Sequence, residues 1–214
     1  MTSALLDLAV LGPFVIAVVI IAITPGPDMT FFLGRALSQG RAAGFAALAG
    51  ATSGVIVHTA LVALGLSALI VAAPSAFLAL KIAGAPYLLW LALQAIRHGS
   101  ALVCSRKPPK ARTHAATWAQ ALAINLVNPK VALFFMTFLP QFVSVTDPDA
   151  PMKLLSLGAV FIVISSIVCV PIVLASKRFS LAMRSSSRAA RQIDWLFAGV
   201  FTAFAAQILL ARAR

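Results

Sequence analysis

Ile23-Thr24-Pro25-Gly26-Pro27-Asp28-Met29-Thr30-Phe31-Phe32 lies inside a long apolar run, where a proline pair, a charge and paired phenylalanines have no place in a plain spanning helix. A second run carries the same grammar: Asn125-Leu126-Val127-Asn128-Pro129-Lys130-Val131-Ala132-Leu133-Phe134-Phe135. Aligning Pro27 with Pro129 sets Asp28 against Lys130. Proline has no N–H and cannot bond the carbonyl four residues back. Pro25, Pro27 and Pro129 therefore leave the carbonyls of Ile21, Ile23 and Asn125 without their helical donors. At membrane depth such backbone is tolerated only where it is buried in protein or lines a wet cavity.

The surroundings of both stretches are lipid-compatible. Of 214 residues, 61% are hydrophobic and 10% charged, against about 25% charged in a soluble domain. The mean hydropathy of +1.00 excludes a soluble enzyme. A span needs about 20 apolar residues, and six runs qualify: residues 8–32, 44–71, 77–96, 118–143, 154–175 and 193–210. Pro74, Pro108, Pro109, Pro148 and Pro151 fall between them. The expected fold is an all-α integral membrane domain of six transmembrane helices. A first repeat covers about 8–97, a basic linker about 98–117 and a second repeat about 118–212. An odd number of helices per half inverts the second half relative to the first, the plan of secondary transporters whose broken helices mark the binding site.

Seventeen Lys and Arg face five acidic residues, all Asp, for a net charge of +12. The basic residues lie between the apolar runs, which argues for membrane topology and anionic-lipid contact and against nucleic acid. Arg35 and Arg41, then Arg97, Arg106, Lys107, Lys110 and Arg112, then Lys177, Arg178, Arg184, Arg188 and Arg191 fall on one side. By the positive-inside bias that side is cytoplasmic, the loops at 97–117 and 177–192 face inward, and both termini face the periplasm. Cys104 and Cys169 are far apart, without CxxC or a histidine cluster, and read as free thiols. No metal or other cofactor is expected.

The candidate site follows from the cost of charge in lipid. Asp28 and Lys130 each cost about 2.5–3.5 kcal/mol near mid-span. Seven residues before Arg35, Asp28 sits about 10 Å inside the inner surface at about 1.5 Å per residue. The two charges either pair structurally or act on a ligand: aspartate on an ammonium or a proton, lysine on a carboxylate, both together on a zwitterion. Asn125 and Asn128 share a helix face, as helix glue or as ligand groups. Thr24 and Gly26 belong to the first break, where glycine permits close approach. His58 continues the stripe of Gly50 and Gly54 and faces protein, as a packing residue or a proton relay. Tyr87, Trp90 and Gln94 are cavity candidates or interfacial packing.

These residues resemble the LysE/RhtB family of amino-acid exporters. The resemblance rests on Ile23 to Asp28, the glycine-rich 44–54 stretch, Lys81-Ile82-Ala83-Gly84-Ala85-Pro86-Tyr87-Leu88-Leu89-Trp90-Leu91, and Asn125 to Lys130 leading into Phe134-Phe135. Ala92 stands where the family usually carries a small residue or glycine in Tyr-Leu-x-Trp-Leu-Gly, a slight departure. The resemblance implies export of threonine, homoserine, leucine or basic amino acids from the bacterial cytoplasm across the inner membrane, driven by proton entry. The partners are then an amino acid, protons and the lipid bilayer, with a homo-oligomer left open. A metal-ion exporter and a non-transporting membrane assembly subunit are the alternatives.

Overall fold

The computed structural model describes residues 8–72, 112–143 and 147–185, with isolated positions in 86–97 and 191–206. Everything regular among them is helical: α1 (Leu8–Ile23), α2 (Pro27–Gln39), α3 (Arg41–Ala72), α4 (His114–Leu126), α5 (Pro129–Leu133), a π-helical turn at Phe134–Phe138 running into a 3₁₀ turn at Leu139–Phe142, α6 (Ala150–Leu174) and α7 (Ser176–Ser185). Helix satisfies every backbone group from within one segment, the condition lipid imposes.

Among the described residues, two helices are long and apolar enough to cross a membrane, at Arg41–Gly65 and Ala150–Leu174. Two more spans arise if each bent pair counts as one, Leu11–Ile23 with Pro27–Gln39 and His114–Leu126 with Pro129–Phe142, each bent by 51°. Both bends sit where the sequence places its prolines. Pro27 and Pro129 each start a new helix, the position where a missing N–H costs nothing. Most of the third and sixth apolar runs, and the linker 98–111, lie outside the described residues.

Three local differences from the expected layout have simple causes. The fourth run starts at His114 instead of 118, because Thr113 caps it by accepting a hydrogen bond from the Ala116 N–H (3.2 Å). The basic segment 177–192 is no plain loop at its start: residues 176–185 form α7, which buries Ser176 and Ser180 and exposes Lys177 and Arg178. Arg35, expected in a solvated connection, is buried inside α2, where its guanidinium donates to Gln120 Oε1 (3.0 Å) and lies over the Phe31 ring. The α2–α3 connection is instead Gly40 alone, at φ 89°, a left-handed conformation that glycine adopts without strain.

Glycine also sets how close the helices come. A Cβ at Gly50 would stand 2.2 Å from the Trp118 carbonyl oxygen, and one at Gly54 2.2 Å from Asn125 Oδ1. The α3 stripe Gly50-Gly54-His58 therefore lies directly on α4. On the other side of α3, Thr59 fills the space that a side chain at Gly158 of α6 would need. Two apolar clusters result. One gathers Phe14, Val18, Ile21, Phe134, Phe135, Phe138 and Phe161; the other gathers Met29, Phe32, Leu33, Ala121, Cys169 and Val173.

Candidate functional site

Between the two clusters lies a cavity of about 80 Å³ lined by both helix breaks. Thr24, Gly26 and Asp28 come from the first break, Asn125, Asn128 and Lys130 from the second, Thr52 from α3, and Ser165 and Cys169 from α6.

Asn128 is the hinge of the arrangement, because an amide both donates and accepts. Its Oδ1 accepts the Lys130 backbone N–H (3.0 Å), capping α5, while its Nδ2 donates to Asp28 Oδ2 (2.9 Å). Asn125 Nδ2 donates to the same oxygen at 2.8 Å. Asp28 stands in the first turn of α2, where the helix dipole favours an anion. Its second oxygen, Oδ1, is buried without a hydrogen-bond partner, as is Asn125 Oδ1.

Lys130 sits at the opposite pole. Its ammonium donates to the Thr24 carbonyl (2.6 Å) at the C-terminal end of α1, where the dipole favours a cation. The two charges therefore share the cavity without forming a salt bridge; among the described residues the salt bridge is Lys153–Asp147, outside it. Gly26 lies against that lysine: a Cβ there would meet Nζ at 3.4 Å, an ordinary contact distance. The Asn125 carbonyl, deprived by Pro129, accepts the Asn128 N–H (3.0 Å) and lies 3.3 Å from His58 Nε2.

The structure thus brings together Thr24, Gly26, Asp28, Asn125, Asn128 and Lys130 on one cavity wall. Buried His58 stacks on Phe135 and reaches the cavity through the Asn125 backbone. Trp90 is 47% exposed and not in the lining. Tyr87 and Gln94 lie outside the described residues. Sequence reasoning missed Thr52, Ser165 and Cys169. A signal existed on α6, where Phe161, Ser165 and Cys169 recur every fourth position and so share one face.

Apolar spans broken around a cavity that holds an aspartate, a lysine and two amides among apolar side chains mark a membrane transport protein. The chain belongs to the LysE type translocator family, whose model matches residues 19–212. Its members are transporters and not enzymes. The chain is 31% identical over 163 residues to an uncharacterized membrane protein of Vibrio cholerae (76% of this chain, 78% of the relative). To an uncharacterized membrane protein of Pseudomonas aeruginosa it is 27% identical over 202 residues (92% and 94%). It is 30% identical over 149 residues to the homoserine/homoserine lactone efflux protein of Salmonella typhi (70% and 71%). No solved structure matches the chain.

Proposed function

We propose that this protein exports amino acids from the bacterial cytoplasm across the inner membrane by proton antiport, and that the cavity between the two breaks is its substrate and proton site. The observation that carries the reading is that Asp28 and Lys130 line one cavity while each is held by partners other than its opposite charge. A carboxylate with one free oxygen suits an α-ammonium group or a proton. An ammonium with one bond made retains two donors for an α-carboxylate. Both ends of a zwitterion are thereby provided for, with Asn125, Asn128 and Thr24 fixing the two poles. Lys130 favours neutral side chains over basic ones, since a second cation would be repelled. The relative named for homoserine efflux supports the same direction.

In this reading His58 and Tyr87 assist proton or substrate handling. The chain forms two inverted three-helix halves, with both termini periplasmic. The equal 51° bends at corresponding prolines and the basic inner loops support that plan.

The test is amino-acid uptake into everted membrane vesicles under an imposed proton gradient, screening homoserine, threonine, leucine and lysine. The expected result is uptake of neutral amino acids that an uncoupler abolishes and Asp28→Asn eliminates. Uptake indifferent to the uncoupler overturns the coupling, and normal uptake by Asp28→Asn removes Asp28 from the site.

A further inference from the structure

A second cavity, of about 660 Å³, opens where α2, α3, α6 and α7 come together, and it shares no lining residue with the first. Ala36 and Gly40 line it from α2 and its turn, Arg41 from the start of α3, Leu174 and Ala175 from the end of α6, and Ser176, Lys177 and Arg178 from the start of α7. Three side chains are cationic and no carboxylate is among the lining residues.

We infer that this cleft binds the phosphate headgroup of an anionic phospholipid. Its charge demands an anion, and its position says which kind. The cleft lies at the last residue of the α6 span, Leu174, where apolar helix gives way to the basic α7. That is the depth at which hydrocarbon ends and headgroups begin. Leu174 is 44% exposed and Leu181 of α7 67% exposed, so apolar surface flanks the cationic mouth. Ser176 and Ser180 are buried and Phe179 packs on the second apolar cluster, which fixes α7 against the body while Lys177 and Arg178 stay exposed. A ligand that fits must carry negative charge next to an acyl chain. A free anion matches the cations but makes no contact with the apolar flank.

The experiment uses the full-length protein in neutral detergent with phosphatidylglycerol or phosphatidylcholine added, and counts retained lipid by native mass spectrometry. Each Lys or Arg near an anionic surface strengthens binding by roughly fivefold. Arg41→Gln/Lys177→Gln/Arg178→Gln should therefore retain phosphatidylglycerol about a hundredfold less tightly. The control Arg212→Gln/Arg214→Gln, which removes two positive charges from positions outside the cleft's described lining residues, should retain it as the parent does. If the triple variant is not monodisperse, Lys177→Gln alone, on an exposed position, should show the single fivefold step. Equal retention of the two lipids by the parent overturns the inference, as does unchanged phosphatidylglycerol retention in the triple variant. Displacement of phosphatidylglycerol by inorganic phosphate at equal concentration overturns the lipid assignment in favour of a soluble anion.

Discussion

Gly54→Ala is the sharpest probe of how α3 holds the site. The added methyl would stand 2.2 Å from Asn125 Oδ1, 2.7 Å from Cγ and 2.8 Å from Cβ. Asn125 is almost fully buried and tied to Asp28, so it cannot swing away without releasing that bond. Overpacking costs about 1–3 kcal/mol, and losing a hydrogen bond to a charged group about 1.5–3 kcal/mol more. The comparison is Gly158→Ala, where the methyl meets Thr59 at 2.1–2.8 Å and no member of the polar site. Both variants should melt at lower temperature in detergent, whereas efflux per inserted molecule should collapse only in Gly54→Ala. Asn125→Ala added to Gly54→Ala should recover thermal stability and leave efflux lost. Parent-like melting and efflux in Gly54→Ala would refute the α3–α4 contact as described. Equal efflux loss in both single variants would show that packing alone, and not the Asp28 cradle, governs transport.

Other outcomes follow from named contacts. Asn128→Ala removes the α5 cap, about 0.5–2 kcal/mol, together with one Asp28 bond, and should abolish efflux. Asn128→Asp keeps the capping oxygen but replaces the donor to Asp28 with a second carboxylate, so it should be inactive as well; active Asn128→Asp would count against the amide's donor role. Alanine at Asp28 or Lys130 should lower both inserted protein and efflux, while Asp28→Asn/Lys130→Gln should restore insertion alone, and near-normal efflux by that double variant would mean the charges are structural. Asp147 is held below the usual carboxylate range by its bond from Lys153. Its stabilisation is present above the ordinary carboxylate pKa and is lost as pH falls through the lower folded value. The melting difference between parent and Asp147→Asn should therefore hold at neutral pH, correspond to at most about 1 kcal/mol, and vanish in acid. A reporter fused after Arg214 should be active only in its periplasmic form.

What was legible in the sequence was local chemistry. Pro25, Pro27 and Pro129 announce their breaks because a missing N–H is a property of the residue itself, and an Asp or Lys beside such a break is conspicuous in so apolar a chain. Ser165 and Cys169 share a face of α6 with Phe161, but small polar residues such as Ser53, Thr59, Ser156 and Ser166 stand at other angles on α3 and α6, so the sequence does not single out Thr52, Ser165 and Cys169; which face meets the cavity is decided by where α3 packs. The π-helical turn at Phe134–Phe138 has no marker in its own residues; those phenylalanines pack on one another and on Phe161 and Phe142. Arg35 read as a topology charge because its partner, Gln120, is 85 positions away.

The polar bonds that tie the first break to the second span long stretches of chain. Asp28 waits for Asn125 and Asn128, 97 and 100 positions later, and the Thr24 carbonyl for Lys130, 106 positions later. At a synthesis rate of about 5–20 residues per second, that interval is roughly 5–20 s. During it, the first half of the chain carries a carboxylate and a carbonyl whose hydrogen-bond partners, among the described residues, lie in the second half. Release into lipid before Lys130 emerges would strand both groups in hydrocarbon. Assembly of this transporter is therefore a race between elongation and release, and a slower ribosome over residues 98–130 should lower the yield of inserted protein without changing a single contact in the finished molecule.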